Sequence, residues 1–131
     1  MNNEDLLTIA AQVSKNAYAP FSGFCVGAAL LASSGRVYTG CNVENASFPA
    51  GICAERNAFF KALSEGERSF ERIAVIGVRS GSIKDFCYPC GMCRQVMAEH
   101  CDGGFTVVLM NSVGNIKELP LAKLLPYAFE V

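Results

Sequence analysis

Two short runs carry residues able to do chemistry together. The first is Cys53-Ala54-Glu55-Arg56, where loop residues give way to a helical pattern. The second is Cys87-Tyr88-Pro89-Cys90-Gly91-Met92-Cys93-Arg94. Cys90 and Cys93, three apart at a helix start, can both point at one ion, and the positive end of a helix dipole favours thiolate. Cys53 opens a helix of its own. Three thiolates around Zn²⁺ leave one tetrahedral position open, the pattern of a catalytic rather than a structural site. Two other readings use the same residues. Cys87 as a fourth thiolate would close the site, and Cys90-Gly91-Met92-Cys93 has the C-x-x-C form of a redox pair.

Glu55 separates these readings, because only the catalytic one gives it a task. Zinc lowers the pKa of its bound water to about 7, and a carboxylate beside it can move protons to and from a substrate. Glu55 lies two residues from Cys53, in the same first helical turn. Arg56 and Arg94 then gain a purpose as well. Three thiolates outweigh the charge of the ion, and a guanidinium nearby would withdraw density from the sulfurs and restore Lewis acidity.

The elements that must position these residues follow from patterning. Asn2 or Asn3 caps a first helix with Leu6, Ile9, Ala10, Val13 and Ala17 at helical spacing, ended by Pro20. Residues 24–32 read as a buried strand, followed by a Ser-Ser-Gly-Arg turn and a second strand over 37–43, an antiparallel hairpin. Residues 53–66 form a helix with Ala58, Phe59, Ala62 and Leu63 inward and Gly66 past its end. Strands over 72–78 and 105–111 flank a helix over 91–101. A fifth strand, 116–120, precedes a terminal helical segment, 121–129. Strands separated by helices imply right-handed crossovers. The expectation is one α/β domain, 1–131, with a mixed five-stranded sheet between helices on both faces. Loops after strands meet at one sheet edge, so the two cysteine runs can converge.

Composition removes several functions. Net charge is −1 and no Lys/Arg cluster occurs, so neither nucleic acid nor an anionic membrane is an expected partner. No apolar run approaches the roughly 20 residues of a membrane span. The start, Met1 to Ala10, lacks the pattern of a secretory signal, and a cytoplasmic protein is expected. Seven cysteines, an odd number, argue against a disulfide scaffold. Cys25, Cys41 and Cys101 are expected to be buried thiols, and His100, the single histidine, a surface residue at a helix C-terminus. The apolar fraction of 51 % is high for so short a chain and hints at self-association.

Taken together, Cys53-Ala54-Glu55, Pro89-Cys90-Gly91-Met92-Cys93 and Asn42-Val43-Glu44-Asn45 resemble the zinc nucleoside deaminases, specifically the small homotetrameric cytidine deaminases. The likeness extends over essentially the whole chain, from Ala17-Tyr18-Ala19-Pro20-Phe21 to Leu124-Leu125-Pro126-Tyr127-Ala128-Phe129. It implies a three-layer α/β/α fold, a homotetramer and one Zn²⁺ per subunit. By position, Cys53, Cys90 and Cys93 match the zinc ligands and Glu55 the proton shuttle. Asn42 and Glu44 match residues that hold the ribose hydroxyls, Phe24 a ring packed on the pyrimidine, and Ala54 a substrate contact. Phe48 and Phe129 match aromatics at a site completed by neighbouring subunits. The Phe48 position often carries Tyr in the family, so a hydroxyl contact is missing there. Cys87 matches no family role.

The reaction so implied is hydrolytic deamination of cytidine and deoxycytidine, a step of pyrimidine salvage. A deaminase of another cytosine compound, such as a blasticidin-type antibiotic, is the nearest rival. A structural zinc module binding a partner is the rival of another class, and requires Cys87 as the fourth ligand.

Overall fold

Asn2 starts the first helix, its side chain accepting the Asp5 N–H at 2.8 Å, and Glu4 and Asp5 complement the helix dipole. This helix, α1 (Asn3–Ser14), is seen in a computed structural model that describes residues 1–131. It stops six residues before Pro20, so Pro20 does not end it. Its buried stripe is Leu6, Leu7, Ala10 and Ser14. Ile9, Val13 and Ala17 are only half-buried, because the inward face is centred one residue away from the predicted one.

The strands are β1 (Phe24–Ala32), β2 (Val37–Cys41), β3 (Phe70–Arg79), β4 (Ser82–Ile83), β5 (Thr106–Met110) and β6 (Ile116–Pro120). The remaining helices are α2 (Ala54–Ser64), α3 (Gly91–His100) and the single turn α4 (Leu121–Leu124). β1 and β6 match their predicted bounds. The terminal segment is helical for four residues rather than nine. The sheet runs β2-β1-β3-β5-β6, antiparallel except for the β3–β5 pair. It has six strands, not the expected five. The extra one, β4, forms because Ser80 (φ 53) and Gly81 (φ 78) both take the left-handed conformations of a two-residue hairpin turn, folding the chain back onto Val78 and Arg79.

Alternation along the central strands builds two cores. Val26, Ala28 and Leu30 of β1, Ile73 and Val75 of β3, and Val107 and Leu109 of β5 face α2, α3 and α4. Ala29 and Leu31, Ala74 and Ile76, and Val108 face α1. Both faces are covered, which is why these strands read as continuous apolar runs rather than alternating ones. The architecture is therefore α/β/α in three layers.

Close backbone approach sets the position of α2. A Cβ on Gly40 of β2 would lie 2.3 Å from the Ala54 carbonyl oxygen and 2.6 Å from the Ala58 nitrogen. Only glycine lets the strand and the start of α2 touch there. Gly40→Ala is expected to lower stability by about 1–3 kcal/mol through overpacking, read as a lower urea midpoint. An unchanged midpoint would show that α2 can shift freely.

Candidate active site

Cys53 and Cys90 are the residues immediately preceding α2 and α3, both with extended backbone, and Cys93 lies in the first turn of α3. The two helices start at the same end of the sheet. β3 leads into the loop before α3, and the bridges of Val43 to Tyr18 and Ile52 lead the chain from β2 towards α2. The result is a cluster of three sulfurs, Cys53 to Cys90 at 3.6 Å and Cys90 to Cys93 at 3.5 Å, all within 4.8 Å of one another. Sulfurs about 2.3 Å from a tetrahedral zinc ion stand about 3.8 Å apart, so the donor set suits that metal in size and in chemistry. Cys90 has two sulfur neighbours rather than one, as a shared ion needs and a thiol pair does not. The Cys87 sulfur falls outside the group, so a fourth thiolate does not close it.

Local electrostatics favour negative charge on Cys53. The Cys53 thiol is pulled down to about 5, first by the hydrogen bond with Cys93 and then by Arg56 and Cys90, against the effect of burial. Arg56 Nη2 stands 3.4 Å from Cys53 Sγ. Arg56 Nε is buried with no partner in the protein. Cys93 is pushed up by its bond to Cys53 and by burial. Arg94 differs from the expectation. Its Nε donates to the Pro89 carbonyl and its Nη1 to the Leu124 carbonyl, each at 2.7 Å. Its bonds tie the loop before α3 to α4 and none reaches a sulfur, so it braces the site instead of compensating its charge.

Glu55 is 4 % exposed, and burial pushes its carboxyl up to about 7. It lines a cavity of about 720 Å³ together with Cys53, Ala54, Cys90, Asn42 and Glu44. That volume lies within the range of small-molecule sites. The Phe24 ring forms part of the wall. A Cβ on Gly77 would lie 2.3 Å from its Cζ, so the ring rests on bare backbone, and the Arg79 guanidinium sits 5.3 Å from its centroid.

The strand β2 ends at Cys41 rather than at residue 43, so Asn42 as well as Glu44 lies beyond it. Their side chains stitch the segment before β1. Asn42 Oδ1 accepts the Val26 N–H at 2.8 Å and its Nδ2 donates to the Phe24 carbonyl at 2.9 Å. Glu44 accepts from the Phe21 and Ser22 N–H groups at 3.0 and 3.1 Å and from the Ser22 hydroxyl at 2.5 Å. These bonds hold the Glu44 carboxyl below the usual range, the Ser22 hydroxyl most strongly. The amide keeps one free hydrogen and the carboxylate one acceptor direction for a ligand.

Phe48 lines the cavity mouth, 80 % exposed and edge-on to Phe21. Phe129 is 70 % exposed and lines no part of the cavity in this chain. Cys25, Cys41 and Cys101 are half-buried rather than buried. Cavity residues left without a role by the sequence include Ser22, Arg79 and Tyr88. Ser22 had a signal in the Ser-Gly pair before the first strand. Arg79 and Tyr88 had none, since each reads as an ordinary exposed residue.

Residues 1–109 match the family model described as the cytidine and deoxycytidylate deaminase zinc-binding region. The chain is 49 % identical over 129 residues to a cytidine deaminase of Sporosarcina psychrophila, covering 98 % of this chain and 92 % of that one. It is 46 % identical to one of Halalkalibacterium halodurans, covering 98 % and 95 %. The crystal structure of cytidine deaminase from Burkholderia pseudomallei superposes with a TM-score of 0.90 at 44 % identity, covering 98 % of this chain and all of that one. The enzyme from Mycobacterium tuberculosis gives 0.84 at 37 %, covering 100 % and 99 %. A cysteine triad sized for zinc, a buried carboxyl at its side and likeness over nearly the full length of both chains lead to one conclusion: this chain belongs to the cytidine and deoxycytidylate deaminase family.

Proposed function

We propose that the protein hydrolyses cytidine and deoxycytidine to uridine and deoxyuridine with release of ammonia. The observation that carries this reading is the meeting of Cys53, Cys90 and Cys93 near buried Glu55, at a cavity that Asn42 and Glu44 also line. The three cysteines would hold one zinc ion per subunit, which when bound supplies the Lewis acidity that activates water. Glu55 takes a proton from water and gives it to ring nitrogen 3, making carbon 4 electrophilic. Oxygen then bonds to carbon 4, Glu55 delivers the second proton to the amino group, and ammonia leaves. A carboxyl near neutrality can carry protons both ways, and burial sets Glu55 there.

The remaining residues bind and orient. Asn42 and Glu44 present their free hydrogen-bonding capacity to the ribose hydroxyls, Phe24 packs on the pyrimidine, and the backbone at Ala54 borders the base. Arg56 offsets the charge of the thiolates. Exposed Phe48 and Phe129 would be covered in a homotetramer, each completing a neighbour's site, and the apolar composition supports such assembly. The whole chain, 1–131, acts as one domain in the cytoplasm. No helix is long and apolar enough to cross a membrane.

Cytidine incubated with zinc-loaded protein should lose its ultraviolet absorbance rapidly as uridine forms. No change with zinc stoichiometrically bound would turn the assignment to another cytosine compound, such as an aminoacyl-nucleoside.

A further inference from the structure

Cys90 is the exposed member of the triad, and the segment leading to it has almost no backbone support. From Asp85 to Tyr88 no backbone N–H donates a hydrogen bond within the protein. Lys84 N–H reaches the Gly77 carbonyl at one end, and the Pro89 carbonyl accepts from Arg94 at the other. Between these ties Phe86 and Cys87 pack against the core, and one side-chain hydrogen bond links the loop to the sheet. Lys117 Nζ donates to the Tyr88 hydroxyl at 2.7 Å and stands 4.4 Å from the centroid of the Phe86 ring and 5.4 Å from that of Tyr88. The two rings lie 6.3 Å apart, so one ammonium group engages both. Lys117 is itself firmly placed, since its strand β6 pairs along its full length with β5 and Lys117 faces buried Leu109.

We propose that Lys117 is a positioning residue, a latch that holds the 84–90 loop and through it keeps Cys90 in register with Cys53 and Cys93. This rests on the triad being the zinc site. The physical reason is kinetic. A metal leaves its site one ligand at a time, and the exposed ligand on the least supported backbone detaches first. A latched loop keeps the detached thiolate close, so it rebinds before the second ligand lets go. An unlatched loop lets it swing away. Hydrogen-bonded residues behind metal ligands typically change metal affinity by about 10–100-fold when removed.

The experiment follows zinc release from the loaded protein to a chromogenic chelator. Lys117→Met keeps the aliphatic stem and loses the charge and the donor, and is expected to release zinc about tenfold faster. Lys117→Arg should stay near the wild-type rate. Tyr88→Phe should accelerate release less than Lys117→Met, and the double variant should be no faster than Lys117→Met alone, because both changes remove one shared contact. The thermal midpoint of the zinc-free protein should be alike in all. Equal release by wild type and Lys117→Met would overturn the latch. So would equal acceleration by the Met and Arg variants, or acceleration that merely follows a fall in midpoint. Wild-type protein that takes up no zinc would instead overturn the metal-site reading on which the latch stands.

Discussion

Glu55→Gln is expected to lose about 10⁴-fold or more in kcat while keeping its zinc, its fold and much of its substrate affinity. The amide has the size of the carboxyl and can still hydrogen-bond, but it cannot accept a proton from water and hand it on. Both proton transfers run through this one group, and His100, the single histidine, lies at the last turn of α3, away from the cavity, so it offers no substitute. The variant should fold well. Glu55 is almost fully buried, and a neutral amide avoids the desolvation that an ionised carboxylate suffers there. The measurement is kcat with cytidine beside zinc content by atomic absorption. Turnover within about tenfold of wild type, at full zinc occupancy, would remove Glu55 from the mechanism.

Cys53→Ala should abolish both zinc binding and activity without unfolding the chain. Although Cys53 caps α2, its side chain makes no capping hydrogen bond, so the helix start does not depend on it. What is lost is one of three sulfurs and the partner of Arg56 Nη2. Loss of a direct ligand should exceed the roughly 100-fold cost of losing a supporting group. Zinc titration with a competing chelator measures the affinity, and far-ultraviolet circular dichroism checks the helices. Retention of tight binding would mean that Cys90 and Cys93 hold the ion with some other donor, Cys87 being the nearest candidate by sequence. The structure argues against that donor: the Cys87 sulfur lies outside the cluster formed by Cys53, Cys90 and Cys93.

Much of this protein could be read from local pattern, for physical reasons that are themselves local. Asn2 caps α1 because its side chain reaches an N–H three residues on, and β1 has its predicted bounds because an apolar run covered on both faces is bounded by turn residues. The cysteines and Glu55 were legible because few chemistries need thiols three apart at one helix start and a carboxyl two residues after a third thiol. Side-chain type and short spacing carry that information.

Other features depend on which distant segments meet, and spacing is silent about that. Arg94 and Arg56 look alike in sequence, each next to or near a cysteine, yet Arg56 turns to Cys53 while Arg94 is drawn to the carbonyls of Pro89 and Leu124. By resemblance Asn42 and Glu44 read as residues that hold the ribose hydroxyls. The fold also makes them the fasteners of residues 21–26, because that segment crosses in front of them. β4 exists only because two left-handed residues return the chain to the end of β3, a pairing of two residues too short to leave a pattern. Lys117 and Tyr88 are 29 residues apart and individually unremarked, and the β5–β6 pairing alone brings them together. By itself the sequence determined the reactive groups and the elements that carry them. Tertiary structure decided which neighbours hold those groups in place, since hydrogen bonds and ion–ring contacts form between surfaces that only the folded sheet makes adjacent.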